Sequence, residues 1–518
     1  MIVPELRAWR TARPHVVRVA RTVKPHVVRV TRAVRPRPVR VTTPQLTAVA
    51  ATVGLALAAG LATAAGPWDS SGQRTAERDW AASRAGQGGG DHGPDRGTAG
   101  GGPRPAPSAA SVLAGLGGTV GSAPPPDGKA LAAVLDPLLK DPSLGTRHSA
   151  VVVDVATGRR LYGVGPGEAL TPASTTKIAT AIAALTAAGA DHRITTRAAL
   201  EPDTKEVVLV GGGDPTLTAR KKTDGDWASL RTLAADTART LKDRKLDEVT
   251  LSYDTSLYAG SGQPPAGVDG NLTQVSPLMV DEGRLDDSSS GAAARTADPA
   301  GDAARKFADL LEDEGIGTTP PGPSKATGRS ETLAEVQSPP MSALVERMLT
   351  NSDNDIAEAL ARQTALAAGE PASFEGGGKA IRAQLKKLDV PLKGSAFADG
   401  SGLNRSDKLS AEQLTDLLAA AGDPARPELR PVLTGLPVAG FTGTLSQRYA
   451  DGADRGATGV VRAKTGTLTG VNALAGTVVD TDGRLLAFAF LASGTTDRTT
   501  AQAALDRSAS ALAACGCR

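Results

Sequence analysis

Between Pro67 and Pro126 this chain cannot build a core. Glycine, proline, serine and alanine dominate the stretch, punctuated by Gly88-Gly89-Gly90, Gly100-Gly101-Gly102 and Pro124-Pro125-Pro126. Such a segment buries too little apolar surface to offset its ordering entropy, so residues 67–126 read as a flexible tether. The tether divides the 518 residues into a short N-terminal part and a globular part that begins near Lys129. Aromatic residues make up only 3% of the chain, so alanine, glycine, valine and leucine must fill that interior.

Upstream, Gln45 to Gly66 is an uncharged run of apolar and small residues, long enough for a bilayer that needs about 20. Residues 1–44 form a basic arm, with eleven lysines and arginines against Glu5 alone. The rest of the chain therefore carries −7 of the overall +3, which argues against a basic nucleic-acid-binding domain. Positive charge before an apolar run keeps the N-terminus in the cytoplasm and exports the residues C-terminal to the run. The globular part is thus expected outside the cytoplasm, anchored to the membrane or secreted into the cell wall. An uncleaved anchor at 45–66 is favoured slightly over a signal peptide cut after Ala62-Thr63-Ala64. The arm repeats Pro14-His15-Val16-Val17-Arg18-Val19 at Pro25-His26-Val27-Val28-Arg29-Val30. Its prolines oppose one continuous helix, and its charge suits anionic lipid headgroups.

The only cysteines, Cys515 and Cys517, sit at the extreme C-terminus. They cannot join distant parts of the fold; pairing with each other, free thiols and cross-linking of chains all stay open. Neither a second cysteine pair nor a nearby histidine completes a metal site, and no cofactor is expected.

Within the globular part, Leu131–Leu139 has helical spacing, Ala150–Val155 reads as a strand, and Arg160-Leu161-Tyr162 begins its antiparallel return after a turn at Ala156-Thr157-Gly158. Ile178, Ile182 and Leu185 mark one face of a helix ending near Gly189. Ser342–Thr350 and Ile356–Leu366 are helical. Near the C-terminus, strands at Val471–Val479 and Arg484–Ala492 flank a turn, and Thr499–Ala514 closes the chain as a helix. An antiparallel sheet with packed helices, an α+β fold, fits this order better than alternating parallel units.

Three short motifs carry the chemistry. In Ser174-Thr175-Thr176-Lys177, residues three apart share a helix face, so the lysine amine can approach the serine hydroxyl, and a helix N-terminus favours the developing anion. The pattern alone is common. Ser352-Asp353-Asn354 succeeds a helical run; it suits an ordinary cap or a hydroxyl and an amide projecting into a cleft. In Lys464-Thr465-Gly466-Thr467, Gly466 would let a ligand backbone approach the strand edge, while Lys464 and Thr465 grip a carboxylate. The order Ser-x-x-Lys, Ser-x-Asn, Lys-Thr-Gly is the signature of penicillin-binding proteins and class A β-lactamases. Outside the arm and tether the only histidines are His148 and His192, neither in a hydrolase motif, so a lysine base suits the chain better than a Ser-His-Asp triad. Acting near neutrality, Lys177 must lose about 3 units from a free value of about 10.4. Burial and the charge of Lys464 are the expected causes.

The chain resembles the D-alanyl-D-alanine carboxypeptidase/endopeptidases, the low-molecular-mass class C penicillin-binding proteins. Besides the motifs, the resemblance rests on Gly213-Asp214-Pro215-Thr216-Leu217, on Gln337 through Glu358, on Asp399-Gly400-Ser401-Gly402-Leu403 and on Thr442-Gly443-Thr444-Leu445. It implies a penicillin-binding transpeptidase-like domain at 127–218 and 338–518, interrupted by an inserted smaller α/β domain at 219–337. A second insert would be largely missing, since Asp281-Glu282-Gly283 runs quickly into Asp298-Pro299-Ala300-Gly301. By the same resemblance, Ser174 attacks a D-Ala-D-Ala carbonyl of a peptidoglycan stem peptide with Lys177 as base. Ser352 and Asn354 complete the catalytic set; Lys464, Thr465, Gly466 and Thr467 bind substrate; β-lactams acylate the same serine. A β-lactamase is the nearest rival, although no Glu-x-x-Leu-Asn segment is evident. A non-catalytic wall-binding or signalling module is the rival from another class.

Overall fold

A computed structural model describes residues 124–221, 227–449 and 456–517. The basic arm, the apolar run and nearly all of the tether lie outside the described residues. Within those described, no helix is long and apolar enough to cross a membrane.

One layer is a five-stranded antiparallel sheet, ordered β2-β1-β11-β10-β9. Its strands are β1 (Arg147–Asp154), β2 (Arg160–Val164), β9 (Val461–Leu468), β10 (Val471–Val479) and β11 (Leu485–Ser493). Alternation along the strands sends successive side chains to opposite faces. Val151, Val153, Ala473, Ala475, Ala487 and Ala489 enter one core. Val152, Leu474, Leu486, Phe488 and Phe490 enter another. The first face carries mostly alanine, which lets helices approach closely; the second carries the bulk.

The bulky face is covered by α1 (Gly128–Leu139) and by the closing helix α10 (Arg498–Ala513). Asp127 caps α1 by accepting from the Lys129 and Ala130 amides. Cys515 and Cys517 form a disulfide with each other, and Asp127 N–H donates to the Cys517 carbonyl (2.8 Å), tying the two ends of this layer together.

The core on the alanine face takes in α2 (Thr176–Ala188), α5 (Met341–Asn351), α6 (Asn354–Ala367), α7 (Phe374–Lys386) and α8 (Ala411–Gly422), with a short α9 at Pro431–Thr434, and α8 lies directly on the sheet. The sequence marks one apolar face on α2, yet every residue from Thr176 to Leu185 is buried. The helix is central, packed by α5, α6, α7 and α8, and its small alanines let neighbours close in on all sides.

A second, mixed sheet carries the inserted domain: β3 (Thr195–Glu201), β4 (Glu206–Val210), β5 (Glu248–Asp254), β6 (Gly317–Thr318), β7 (Gly322–Pro323) and β8 (Glu331–Gln337), with α3 (Leu230–Asp243) and α4 (Pro299–Asp313) completing its separate core. β4 and β5 run parallel, joined through α3. The boundary expected at 219 falls inside this unit. β3 pairs antiparallel with both β4 and β8, so the chain enters the second sheet directly after α2, near Thr195.

Candidate active site

Ser174 lies in a single 3-10 turn, Ala173–Thr175, that leads into α2. Ala173 adopts φ 49°, a conformation unfavourable for a residue with a Cβ. Glycine is required opposite: a Cβ on Gly402 would lie 2.0 Å from the Ala173 carbonyl oxygen.

One helical turn on, the Lys177 ammonium reaches Ser174 Oγ (3.1 Å), Asn354 Oδ1 (2.7 Å) and the Ser401 carbonyl (2.7 Å). Burial lowers its pKa to about 8, against the opposing pull of Asp399, Asp353, Glu358 and Asp407. Burial is one of the two causes expected from the sequence.

Ser352 ends α5 in the left-handed conformation, φ 57°, and Asp353 caps α6 through the Ile356 amide (3.0 Å). A helix stop met at once by a helix start lets Ser352 and Asn354 project from one corner. Ser352 Oγ accepts from Lys464 Nζ (2.8 Å), which also donates to the Thr465 carbonyl (2.8 Å). Lys464 is fully buried, and its pKa is held well below the ordinary lysine value by burial and by the charge of Lys177. Its ammonium faces Ser352, and Lys464 does not line the cleft.

β9 is the sheet's edge strand. Ala463 N–H donates off that edge to the Pro437 carbonyl (2.9 Å), so by two-residue alternation the Thr465 and Thr467 amides point off the same edge, toward the cleft. Thr465 Oγ1 donates to Thr444 Oγ1 (2.9 Å), and Gln502 on α10 donates to Thr467 Oγ1 (3.1 Å). Gly466 has a structural reason of its own. A Cβ there would lie 2.6 Å from the Pro172 carbonyl and 3.3 Å from Ala173 Cβ. The glycine makes room for the turn that presents Ser174.

These residues surround a cleft of about 390 Å³ whose walls include Ser174, Ser352, Asn354, Thr444, Thr465 and Thr467. His148 and His192 do not line it. The cleft thus holds one half-buried serine hydrogen-bonded to a buried lysine of lowered pKa, a second serine–lysine pair, and two amides on a strand edge. That arrangement can activate a hydroxyl, relay a proton and bind an oxyanion.

Sequence reasoning missed the support beneath it. Glu358, buried and raised to about 7 by burial and then by Asp399, accepts from the Gly400 (3.1 Å) and Ser401 (2.9 Å) amides. Asp399 accepts from Gly402 and Asn404. Together they fix the loop whose Ser401 carbonyl holds Lys177. The Asp399-Gly400-Ser401-Gly402 block was visible in the sequence, but nothing local tied it to the lysine.

Residues 131–293 and 285–512 match the model of the D-Ala-D-Ala carboxypeptidase 3 (S13) family. The chain is 38% identical over 424 residues to the carboxypeptidase DacB of Mycolicibacterium smegmatis, covering 80% of this chain and 90% of the relative. It is 30% identical over 437 residues to a D-alanyl-D-alanine carboxypeptidase of an Actinomadura species, covering 70% and 80%. In three dimensions it resembles penicillin-binding protein 4 of Haemophilus influenzae, with a TM-score of 0.60 at 20% identity over 74% of this chain and 98% of that one.

Proposed function

Since this chain belongs to the D-Ala-D-Ala carboxypeptidase 3 (S13) family, we propose that it is a serine D-alanyl-D-alanine carboxypeptidase acting on peptidoglycan stem peptides. The observation that carries this reading is the 3.1 Å contact between Ser174 Oγ and the buried Lys177 ammonium.

Ser174 Oγ forms a bond to the carbonyl carbon between the two D-alanines while its proton passes to Lys177. The Ser174 and Thr467 amides receive the oxyanion; losing one such donor typically costs about 100- to 1000-fold. The Thr465–Thr444 hydroxyl pair takes the terminal carboxylate. As the C–N bond breaks, the leaving amine takes the Ser352 hydroxyl proton, and Ser352, held by Lys464, is replenished by the proton that Lys177 received, which leaves Lys177 neutral again. Water then adds to the acyl-enzyme, neutral Lys177 takes its proton and returns it to Ser174 Oγ as the ester bond breaks, releasing the shortened peptide with a free carboxyl group. A β-lactam acylates the same serine but keeps its leaving group tethered. A structure of the Haemophilus protein in complex with a β-lactam supports this part of the reading.

The folded part would work outside the cytoplasmic membrane, a reading supported by the apolar run at 45–66 behind a basic arm. A C-terminal reporter active only after export checks it.

The direct test is labelling of the purified chain with fluorescent penicillin, with Ser174→Ala as control, and then D-alanine release from a pentapeptide. Labelling lost in Ser174→Ala, slow release of the acyl group and D-alanine production support the reading. Absence of label on the wild-type chain would sink it, and fast β-lactam turnover would assign a β-lactamase instead. Cleavage of cross-linked peptide dimers measures the endopeptidase component.

A further inference from the structure

The inserted domain touches the catalytic corner through a buried ionic cluster that takes no part in the acylation or hydrolysis steps. Gly283 to Thr296 forms a hairpin in which Thr296 N–H donates to the Gly283 carbonyl (2.8 Å) and Arg284 bridges Arg295. Both arginines point inward. Arg284 pairs with Glu282 (2.7 Å) and Arg295 with Asp355 (2.9 Å), and all four side chains are at most 4% exposed. Asp355 is the residue directly after Asn354. Its other carboxylate oxygen accepts from the Thr273 amide (3.1 Å), and Asn354 itself donates Nδ2 to the Asn271 carbonyl (2.9 Å). Three groups of the inserted segment, Asn271, Thr273 and Arg295, therefore grip the two residues at the start of α6. The amide so oriented has its oxygen on Lys177.

We propose that the Arg295–Asp355 pair is a latch through which the inserted domain holds Asn354, and through it Lys177, in reacting position. Arg295 and Asp355 are then positioning residues; the inference rests on the proposed roles of Ser174 as nucleophile and Lys177 as base.

Glu282, Asp353 and Asp355 lie close enough together to suggest a cation site. Each carboxylate already has a protein partner, however: Asp355 has Thr273 and Arg295, Glu282 has Arg284 on one oxygen while its other is buried without a hydrogen bond, and Asp353 has the Ile356 amide. Two guanidinium groups already supply the positive charge a cation would bring. Stability alone does not account for the cluster either, because well-packed apolar residues usually serve a buried site as well as an ion pair does. Asp281 and Glu282 add two successive non-glycine residues with φ of 53° and 55°. Such backbone persists where the surroundings over-determine it and gathers at functional sites.

Removing one partner strands a buried charge and threatens the fold, so the test replaces both, Arg295→Met with Asp355→Leu, in the full chain. The control is Arg244→Met with Glu331→Leu, an exposed pair within the inserted domain. Stopped-flow β-lactam acylation separates initial binding from the covalent step. The latch predicts a covalent step slower by about 100-fold, the effect of a roughly 1 Å misplacement, with initial binding within threefold of wild type and the control unaffected. A covalent step within threefold of wild type overturns the latch, as does an equal loss in the control. Should the double variant not fold, Asp355→Asn, which keeps an acceptor for Thr273, is read by the same criteria. Failure of the wild-type chain to be acylated instead removes the proposed function, and the latch with it.

Discussion

Two buried lysines each contact one serine hydroxyl, and their protonation decides what each can do. Lys177 titrates near 8 because burial outweighs four nearby carboxylates. Only its neutral form can accept the Ser174 proton. Below pH 8 that fraction falls about tenfold per unit, and above it the fraction saturates. Acylation by a β-lactam should therefore rise with pH and level off beyond about 8; a profile flat from pH 5 to 9 would refute Lys177 as base. The same burial acts on stability. The unfolded lysine binds its proton up to about 10.4, so between about 8 and that value the unfolded chain holds more protons and stability rises with pH. Lys177→Arg introduces a base that cannot deprotonate. Penicillin labelling in that variant should disappear while circular dichroism remains unchanged. At this scale the sequence was most informative where chemistry is local: Ser174 and Lys177 are one helical turn apart. Glu358 and Asp399 were silent because their effect runs through the backbone of a loop more than 220 residues from the lysine.

Elements bring these residues together, and the decisive contact is β9 against the Ser174 turn. Gly466 is where they touch. Gly466→Ala places a methyl group 2.6 Å from the Pro172 carbonyl oxygen, and neither the strand nor the turn can yield without moving Ser174 relative to the Thr467 amide. Overpacking of this kind costs about 1–3 kcal/mol, and displacement of the nucleophile should slow acylation by about 10- to 100-fold. Urea unfolding and labelling kinetics measure the two effects separately. A variant that loses stability but acylates normally would show that the contact is packing alone. The α5–α6 corner obeys the same logic. Ser352 in the left-handed conformation and Asp353 as the next N-cap are both compatible with the local sequence. Their common direction depends on Lys464 reaching Ser352 from a strand 112 positions away, a long-range contact that no local pattern encodes.

For the molecule as a whole, periodicity found β1, β2, β10 and β11 of the antiparallel sheet and the helices α1, α2, α5, α6 and α10, but not the edge strand β9 or the helices α7, α8 and α9. It missed the point where the chain leaves that sheet. Thr195–Glu201 and Glu206–Val210 are short, well-buried strands, and nothing within them says which sheet they join; the pairing partner, β8, lies well over a hundred residues downstream. The described fold does, however, state where it begins. Leu131, Leu135 and Leu139 of α1 are at most 4% exposed and belong to the core shared with α10. A chain starting at residue 124 keeps that helix, its Asp127 cap and the Asp127–Cys517 bond. It should label with penicillin at the full-length rate and melt within a few degrees of the full-length chain. A chain starting at residue 141 loses the three leucines and uncovers their partners. At about 1.5–3 kcal/mol for each fully buried leucine, the expected loss is about 5–9 kcal/mol, comparable to the whole stability of a typical domain. That chain should be largely unfolded at 37 °C and unlabelled. Wild-type melting and labelling in the shorter chain would mean that the bulky face of the sheet closes without α1.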